Sequence, residues 1–179
     1  MQQVYVFFKD DHSIAAGSSA DLREARKLRR GNESLLWFRK GNAEYVVRDP
    51  ATLARFHASY AEVMRLGDQQ GAIGNRQGEI GKKQGALGQR QGELGMQQAE
   101  LATQHLQRGQ SDARMAELDR KQAALDKQQA ELAAPMAELD RQQAALDRQI
   151  RAADARAERQ ASKLMDEAVA NGVAQPAKS

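Results

Sequence analysis

From Leu66 to Ala102 the chain repeats every seven residues as Gln-Gly-x-Leu/Ile-Gly-x-x, reading LGDQQGAIGNRQGEIGKKQGALGQRQGELGMQQAELA. At about 100° per residue on an α-helix, Leu66, Ile73, Ile80, Leu87, Leu94 and Leu101 form one apolar stripe. Gln70, Gln77, Gln84, Gln91 and Gln98 lie beside it, at roughly 60°. Gly71, Gly74, Gly78, Gly81, Gly85, Gly88, Gly92 and Gly95 fall further round, near about 100° and 160°, with Arg76, Lys83 and Arg90 on the other flank. The pattern predicts a helix with one greasy ridge, a row of amides and a smooth double stripe.

Eight glycines cost such a helix about 8 kcal/mol relative to Ala. Burying the five apolar residues from Ile73 to Leu101 returns roughly 1.5–3 kcal/mol each. The helix therefore needs a partner, and the glycines would let that partner's backbone come close. The eight glycines, with Leu87 and Leu94, are the candidate interaction residues. The alternative is a flexible Gln/Gly low-complexity tract. Five unbroken heptads and the absence of Pro favour the helix.

A second heptad series follows a break at HLQRGQSDAR, with Leu118, Leu125, Leu132, Leu139 and Leu146 as its large residues and Ala two before each. Pro135 lies inside it and is expected to kink the helix. From Arg151 the heptads fade. Leu101 and Leu118 are seventeen residues apart, so the two series are out of phase in one rod. Folding between Gly109 and Gln110 sets Leu101 opposite Leu118, Leu94 opposite Leu125, Leu87 opposite Leu132, Ile80 opposite Leu139 and Ile73 opposite Leu146. An antiparallel hairpin closed at Arg108 to Ser111 is favoured over a straight rod. In it, the glycine stripe of one helix would meet the alanine stripe of the other. Against it, each heptad brings one large residue per helix, and Asp119, Asp126, Asp140 and Asp147 stand where a second small stripe would be.

Before residue 50 the periodicity changes to that of strands. Gln2–Lys9 is β-branched and aromatic, Asp10-Asp11 makes a turn, and His12–Ala16 returns. Ser18 and Asp21 form a capping box for a helix whose inner face is Leu22, Ala25 and Leu28, and Gly31 suits its end. In LLWFRKGNAEYVV, Gly41-Asn42 is a two-residue type II′ loop. Counting out from it pairs Arg39 with Glu44, Phe38 with Tyr45, Trp37 with Val46 and Leu36 with Val47, all favourable cross-strand choices. Asp49-Pro50 then opens a helix, as N-cap and first helical residue. Leu53, Phe56, Tyr60 and Val63 follow at helical spacing, placed to fold back on the sheet.

The expected fold class is α+β: residues 1–49 a small ββαββ domain, 50–107 a long helix with glycine heptads, and 108–111 a turn. Residues 112–168 form a second long helix, and 169–179 a disordered tail.

Composition narrows the function. Aromatic content is 4%, all of it before residue 61, so a conventional core is expected only there. A net charge of +3 gives little reason to expect nucleic acid or an anionic membrane as partner. There is no Cys, and no apolar run approaches the ~20 residues of a membrane span. Residues 1–20 lack a signal-peptide pattern, so the chain as written is expected to be soluble and unexported, unless its natural N-terminus lies further upstream.

His12, His57 and His105 lie in three separate segments without ligand spacing, and no phosphate-binding glycine loop or nucleophile–base set is present. No catalytic residue, metal or cofactor is expected. The partner is expected to be another protein or a second copy. The one other constellation is the basic helix beside the aromatic strands. An alternative reading makes Arg23, Arg26, Lys27 and Arg30, with Trp37 and Phe38, a weak anion or RNA site.

SIAAGSSADLREARKLRRGNESLLWFRKGNAEYVVRDPATLAR together with the Gln/Gly heptads resembles a segment appended to BlaR-type bacterial membrane metallopeptidases of the antirepressor class. The shared features are Gly-Ser-Ser before a basic helix, the Leu-Trp-Phe-Arg and Tyr-Val-Val-Arg-Asp strands, and the Leu-Gly-x-x-Gln heptads, about half the chain. The resemblance implies a periplasmic appendage in the bacterial envelope, for sensing or protein contact. It implies no proteolysis, because the family's membrane helices and zinc motif are missing.

Overall fold

The computed structural model describes residues 3–108 and 112–177, side chains excepted for 104–108. The elements are β1 (Val4–Lys9), β2 (His12–Ala16), α1 (Ser19–Leu28), β3 (Leu35–Lys40), β4 (Ala43–Val47), α2 (Pro50–Ser59), α3 (Ala61–Arg108), α4 (Asp112–Ala170) and β5 (Gln175–Pro176). The fold is α+β, a small antiparallel sheet with long helices. Two compact units divide it: Met1–Arg65 with Ile150–Ser179, and Leu66–Gln149.

In the first unit the sheet order is β2-β1-β3-β4-β5. The β3–β4 register is the one the turn dictates, with Arg39 opposite Glu44, Phe38 opposite Tyr45, Trp37 opposite Val46 and Leu36 opposite Val47. Gly41 carries φ 60°, which the first position of that turn requires. The capping box is present: Asp21 Oδ2 accepts from the Ser18 N–H at 2.8 Å, and Ser18 Oγ accepts from the Asp21 N–H at 3.3 Å. Asp49 caps α2, accepting from the Thr52 N–H at 2.8 Å.

Alternation along the strands sorts their side chains to two faces. Val6, Phe8, Leu35, Trp37 and Val46 pack under α1 with Ala25. Tyr5, Phe7, Leu36, Phe38 and Val47 face Leu53, Phe56 and Tyr60, and also Ala157, Ala161, Leu164, Met165 and Ala168 of α4. The core is therefore not confined to the N-terminal residues. The last turns of α4, where the leucine heptads fade, supply five buried residues of this layer, and alanines there let helix and sheet approach closely. Ion pairs of Lys40 with Asp166 (2.7 Å), Arg55 with Glu167 (3.1 Å) and Arg156 with Glu62 (3.0 Å) rim this contact. All are solvent-exposed, so each contributes little.

Two expectations need correction. The tail is not disordered through residue 177. Gly172 turns the chain at φ 71°, Ala174 is buried, and Gln175–Pro176 pairs with β4 opposite Val46 and Tyr45. The edge of β4 offers unpaired backbone groups, and the tail fills them: the Ala177 N–H donates to the Glu44 carbonyl at 2.8 Å. Pro176 is tolerated because an edge position needs no N–H.

The helix opened by Asp49-Pro50 is also not single. It ends at Ser59, with Tyr60 at φ −98° and ψ −1°, before α3 begins. The Tyr60 N–H turns back to the Ala58 and His57 carbonyls, while its hydroxyl bonds that of Tyr5 in the buried layer. Pro135 lies inside α4, which is helical from Asp112 to Ala170.

Candidate interaction surface

In the second unit, α3 and α4 are antiparallel and joined by hydrogen bonds between side chains. Gln70, Gln77, Gln91 and Gln98 donate from Nε2 to Oδ1 of Asp147, Asp140, Asp126 and Asp119, at 2.9, 2.9, 2.7 and 3.0 Å. These bonds decide between hairpin and rod in favour of the hairpin. The closing turn, Gly109 to Ser111, lies outside the described residues, as does Gln2 at the expected start of the first strand.

Each of those aspartates follows directly after a leucine of α4, so the ladder flanks the leucine stripes and fixes their register. Leu87, Leu94, Leu118, Leu139 and Leu146 are buried, each at 8% exposure or less. The second inward position of each heptad, expected to be empty of large residues, holds half-buried side chains: Gln70, Gln77, Gln84, Gln91 and Gln98 on α3, and Met115, Gln122, Gln129, Met136 and Gln143 on α4. The seam thus alternates aliphatic and amide layers. The aspartates that seemed to argue against a hairpin are its cross-links.

The glycines do something other than expected. A Cβ added at Gly67, Gly71, Gly74, Gly78, Gly81, Gly85, Gly88, Gly92 or Gly95 would meet no atom within 4 Å. The glycine stripe of α3 therefore does not meet the alanine stripe of α4. The Leu/Ile and Gln rows take up the pairing face, and the glycines lie further round the helix. By contrast, Gly17 is required sterically: at φ 153°, its added Cβ would sit 2.9 Å from Val4 Cγ1.

Because the glutamines of α3 and the aspartates of α4 bond each other, the rows just beyond them lie on the same side of the hairpin. On α3 that row is glycine. On α4 it is Ala116, Ala123, Ala130, Ala137 and Ala144, all exposed. The result is a face almost bare of side chains, with a polar ladder along its middle. Leu87 and Leu94 are not on it, being enclosed in the seam. Met96 is 67% exposed beside the end of the glycine row. Sequence reasoning located the glycine row; the alanine row joins it only through the register.

The basic helix is arranged differently from the alternative reading. Arg23, Arg26 and Lys27 are exposed on α1 and Arg30 is exposed just past its end, and Lys27 pairs with Glu24 at 2.8 Å. Trp37 and Phe38 are 0% and 2% exposed, on opposite faces of the sheet. Alternation along β3 puts neighbouring residues on opposite sides, so neither ring can stack on a base beside those arginines. Arg39 instead covers the Trp37 ring at 5.3 Å and pairs with Asp21 at 2.9 Å. Asp21 is held below the usual carboxylate range, first by its hydrogen bonds to Ser18 and then by Arg39.

Two further sites contain titratable groups. Tyr5 and Tyr60 share a hydroxyl–hydroxyl bond in the layer beneath the helices, and burial pushes both phenols up. A cavity of about 390 Å³ is lined by Phe7, Lys9, Ser34, Arg48, Leu53 and His57, among others. Burial, then Lys9, lowers the pKa of His57. Arg48 is engaged there by Glu33 at 3.2 Å and the Leu28 carbonyl at 2.8 Å. Among the described residues no three His, Cys, Asp or Glu side chains gather as a metal site would require. No helix among them is long and apolar enough to cross a membrane.

No family model, no curated protein and no solved structure matches this sequence.

Proposed function

We propose that this chain is a non-enzymatic interaction module whose helical arm, a coiled-coil-like hairpin built on heptads, docks a partner on its glycine/alanine face. The partner is another protein or a second copy of the chain. The observation that carries the reading is the cost of the glycines. Nine helical glycines weaken α3 by about 9 kcal/mol relative to alanine, yet none has any neighbour within 4 Å of its Cβ position. A surface helix has no internal use for such a row. A docked backbone has, because only glycine lets helices or strands approach to within contact of the main chain. The resemblance to the segment carried by BlaR-type metallopeptidases supports a place in the bacterial envelope and a sensing or contact role there.

The test is site-specific photo-crosslinking from position 96, beside the glycine row, in cells expressing the full chain. A discrete adduct is expected, together with its loss when Gly81, Gly85, Gly88 and Gly92 are all changed to Ala. A mass equal to twice the chain identifies a second copy; any other discrete mass identifies a different protein. No adduct, or one that survives the four substitutions, overturns the proposal.

A further inference from the structure

The cross-helix bonds step by seven on both helices: Gln98 with Asp119, Gln91 with Asp126, Gln77 with Asp140 and Gln70 with Asp147. The same register sets Gln84, in the middle, opposite position 133. There α4 carries Ala. From Met115 to Gln149 the heptads of α4 read MAELDRK, QAALDKQ, QAELAAP, MAELDRQ and QAALDRQ. Only the third replaces Asp and the two residues after it, by Ala133-Ala134-Pro135.

Three features fall on one turn. In the adjacent heptads Gln122 and Gln143 also donate to the aspartate four residues on, Asp126 and Asp147, at 3.2 and 3.3 Å. Gln129 has Ala133 at that place, so its Nε2 meets no carboxylate there; independently, its Oε1 is buried without a hydrogen-bond partner. An unpaired buried acceptor is the costlier side of a lost hydrogen bond. Pro135 has no N–H for the Glu131 carbonyl, and its ring crowds that carbonyl. The middle layer thus lacks the carboxylate its neighbours share, holds an uncompensated amide, and interrupts the backbone ladder.

We propose that the layer of Gln84, Gln129, Ala133 and Pro135 is a built-in opening point of the arm. The hairpin separates locally there, while the stretches on either side, each closed by two Gln–Asp bonds, stay paired. Opening uncovers Leu87, next to Gln84 in the seam, without unfolding either flank. Local separations of this kind occur where buried contacts and hydrogen bonds are fewest.

Amide hydrogen exchange on the full chain tests it. Three segments of α3 share the pattern Gln-Gly-x-Leu/Ile-Gly, with Ala86 where the outer two carry Glu79 and Glu93: Gln77–Gly81, Gln84–Gly88 and Gln91–Gly95; rates are compared after correction for each segment's intrinsic exchange. In the wild type Gln84–Gly88 is expected to exchange about tenfold faster than the other two. Ala133→Asp should bring it down to their rate. Asp126→Ala should create a second fast segment at Gln91–Gly95, and decides the matter if Ala133→Asp does not fold. Because these segments are on α3, a distortion of α4 by Pro135 alone does not produce the pattern. Equal protection at all three segments overturns the proposal. So does protection falling steadily from Gln77 to Gly95, or a rate at Gln84–Gly88 that Ala133→Asp leaves unchanged.

Discussion

Gln91 donates a hydrogen bond of 2.7 Å to Asp126, across the arm and 35 residues away in sequence. The same carboxylate oxygen accepts from Gln122 on its own helix, at 3.2 Å. One acid thus ties two seam amides together. Asp126→Ala is expected to destabilise the chain by about 1 kcal/mol, below the usual value for a charged acceptor because the bond is solvent-exposed. A double-mutant cycle with Gln91→Ala, followed by urea denaturation, should give a coupling of roughly 0.5 kcal/mol or more. Additive losses would show that the pair contributes nothing.

Glycine-to-alanine changes on the open face should raise stability. At Gly81 and at Gly88 each added Cβ meets nothing, so each change is expected to add roughly 0.5–1 kcal/mol. Thermal melts of the single variants check this. Gly17→Ala should act in the opposite direction, because its Cβ collides with Val4 and its φ of 153° suits only glycine. A loss at Gly81 or Gly88 would show that the face is already occupied in the free protein.

The Tyr5–Tyr60 pair makes stability depend on alkaline pH. Burial raises both phenols, and for Tyr60 the hydrogen bond to Tyr5 adds to it. Both folded-state pKa values lie above the unfolded value of about 10. The unfolded chain therefore loses its phenolic protons first. The contribution is fully present below about pH 10 and is lost as pH rises through the folded values. Denaturant titrations at stepped alkaline pH should show the fall, and Tyr60→Phe should flatten it. An equal slope in Tyr60→Phe would assign the loss to other groups.

Truncation after Ala170 should be costly for a segment so short and polar. It removes the buried Ala174 and uncovers the edge of β4, with its bond from the Ala177 N–H to the Glu44 carbonyl. The expected loss is about 1–2 kcal/mol. Concentration-dependent association through the freed strand edge should accompany it, measured by sedimentation. A truncated chain as stable and as monodisperse as the full one would mean that the tail is an ornament of the fold.

The local elements were legible in the sequence because their causes are local. Gly41-Asn42 sets the β3–β4 register by turn geometry alone, and Ser18 and Asp21 cap α1 with each other. The heptads are a strict period, and matching their phases across a fold pointed to the hairpin. What tertiary structure alone decided concerns side chains whose meaning depends on what lies opposite. In the sequence the row of Gln91 reads equally as a bridge between helices or as polar filler, until the register brings its amide to the carboxylate of Asp126. The glycines look like a pairing surface until the seam takes the leucines and leaves them open. The turns after Arg151 lose their heptads because they no longer face a helix alone: Ala157, Ala161 and Leu164 pack in one layer with the sheet and with Leu53 and Phe56 of α2. The tail becomes a strand only because β4 has an unpaired edge, and no periodicity in VANGVAQPAKS announces a partner 130 residues earlier. Periodicity states which face an element buries; only the assembled fold states against what.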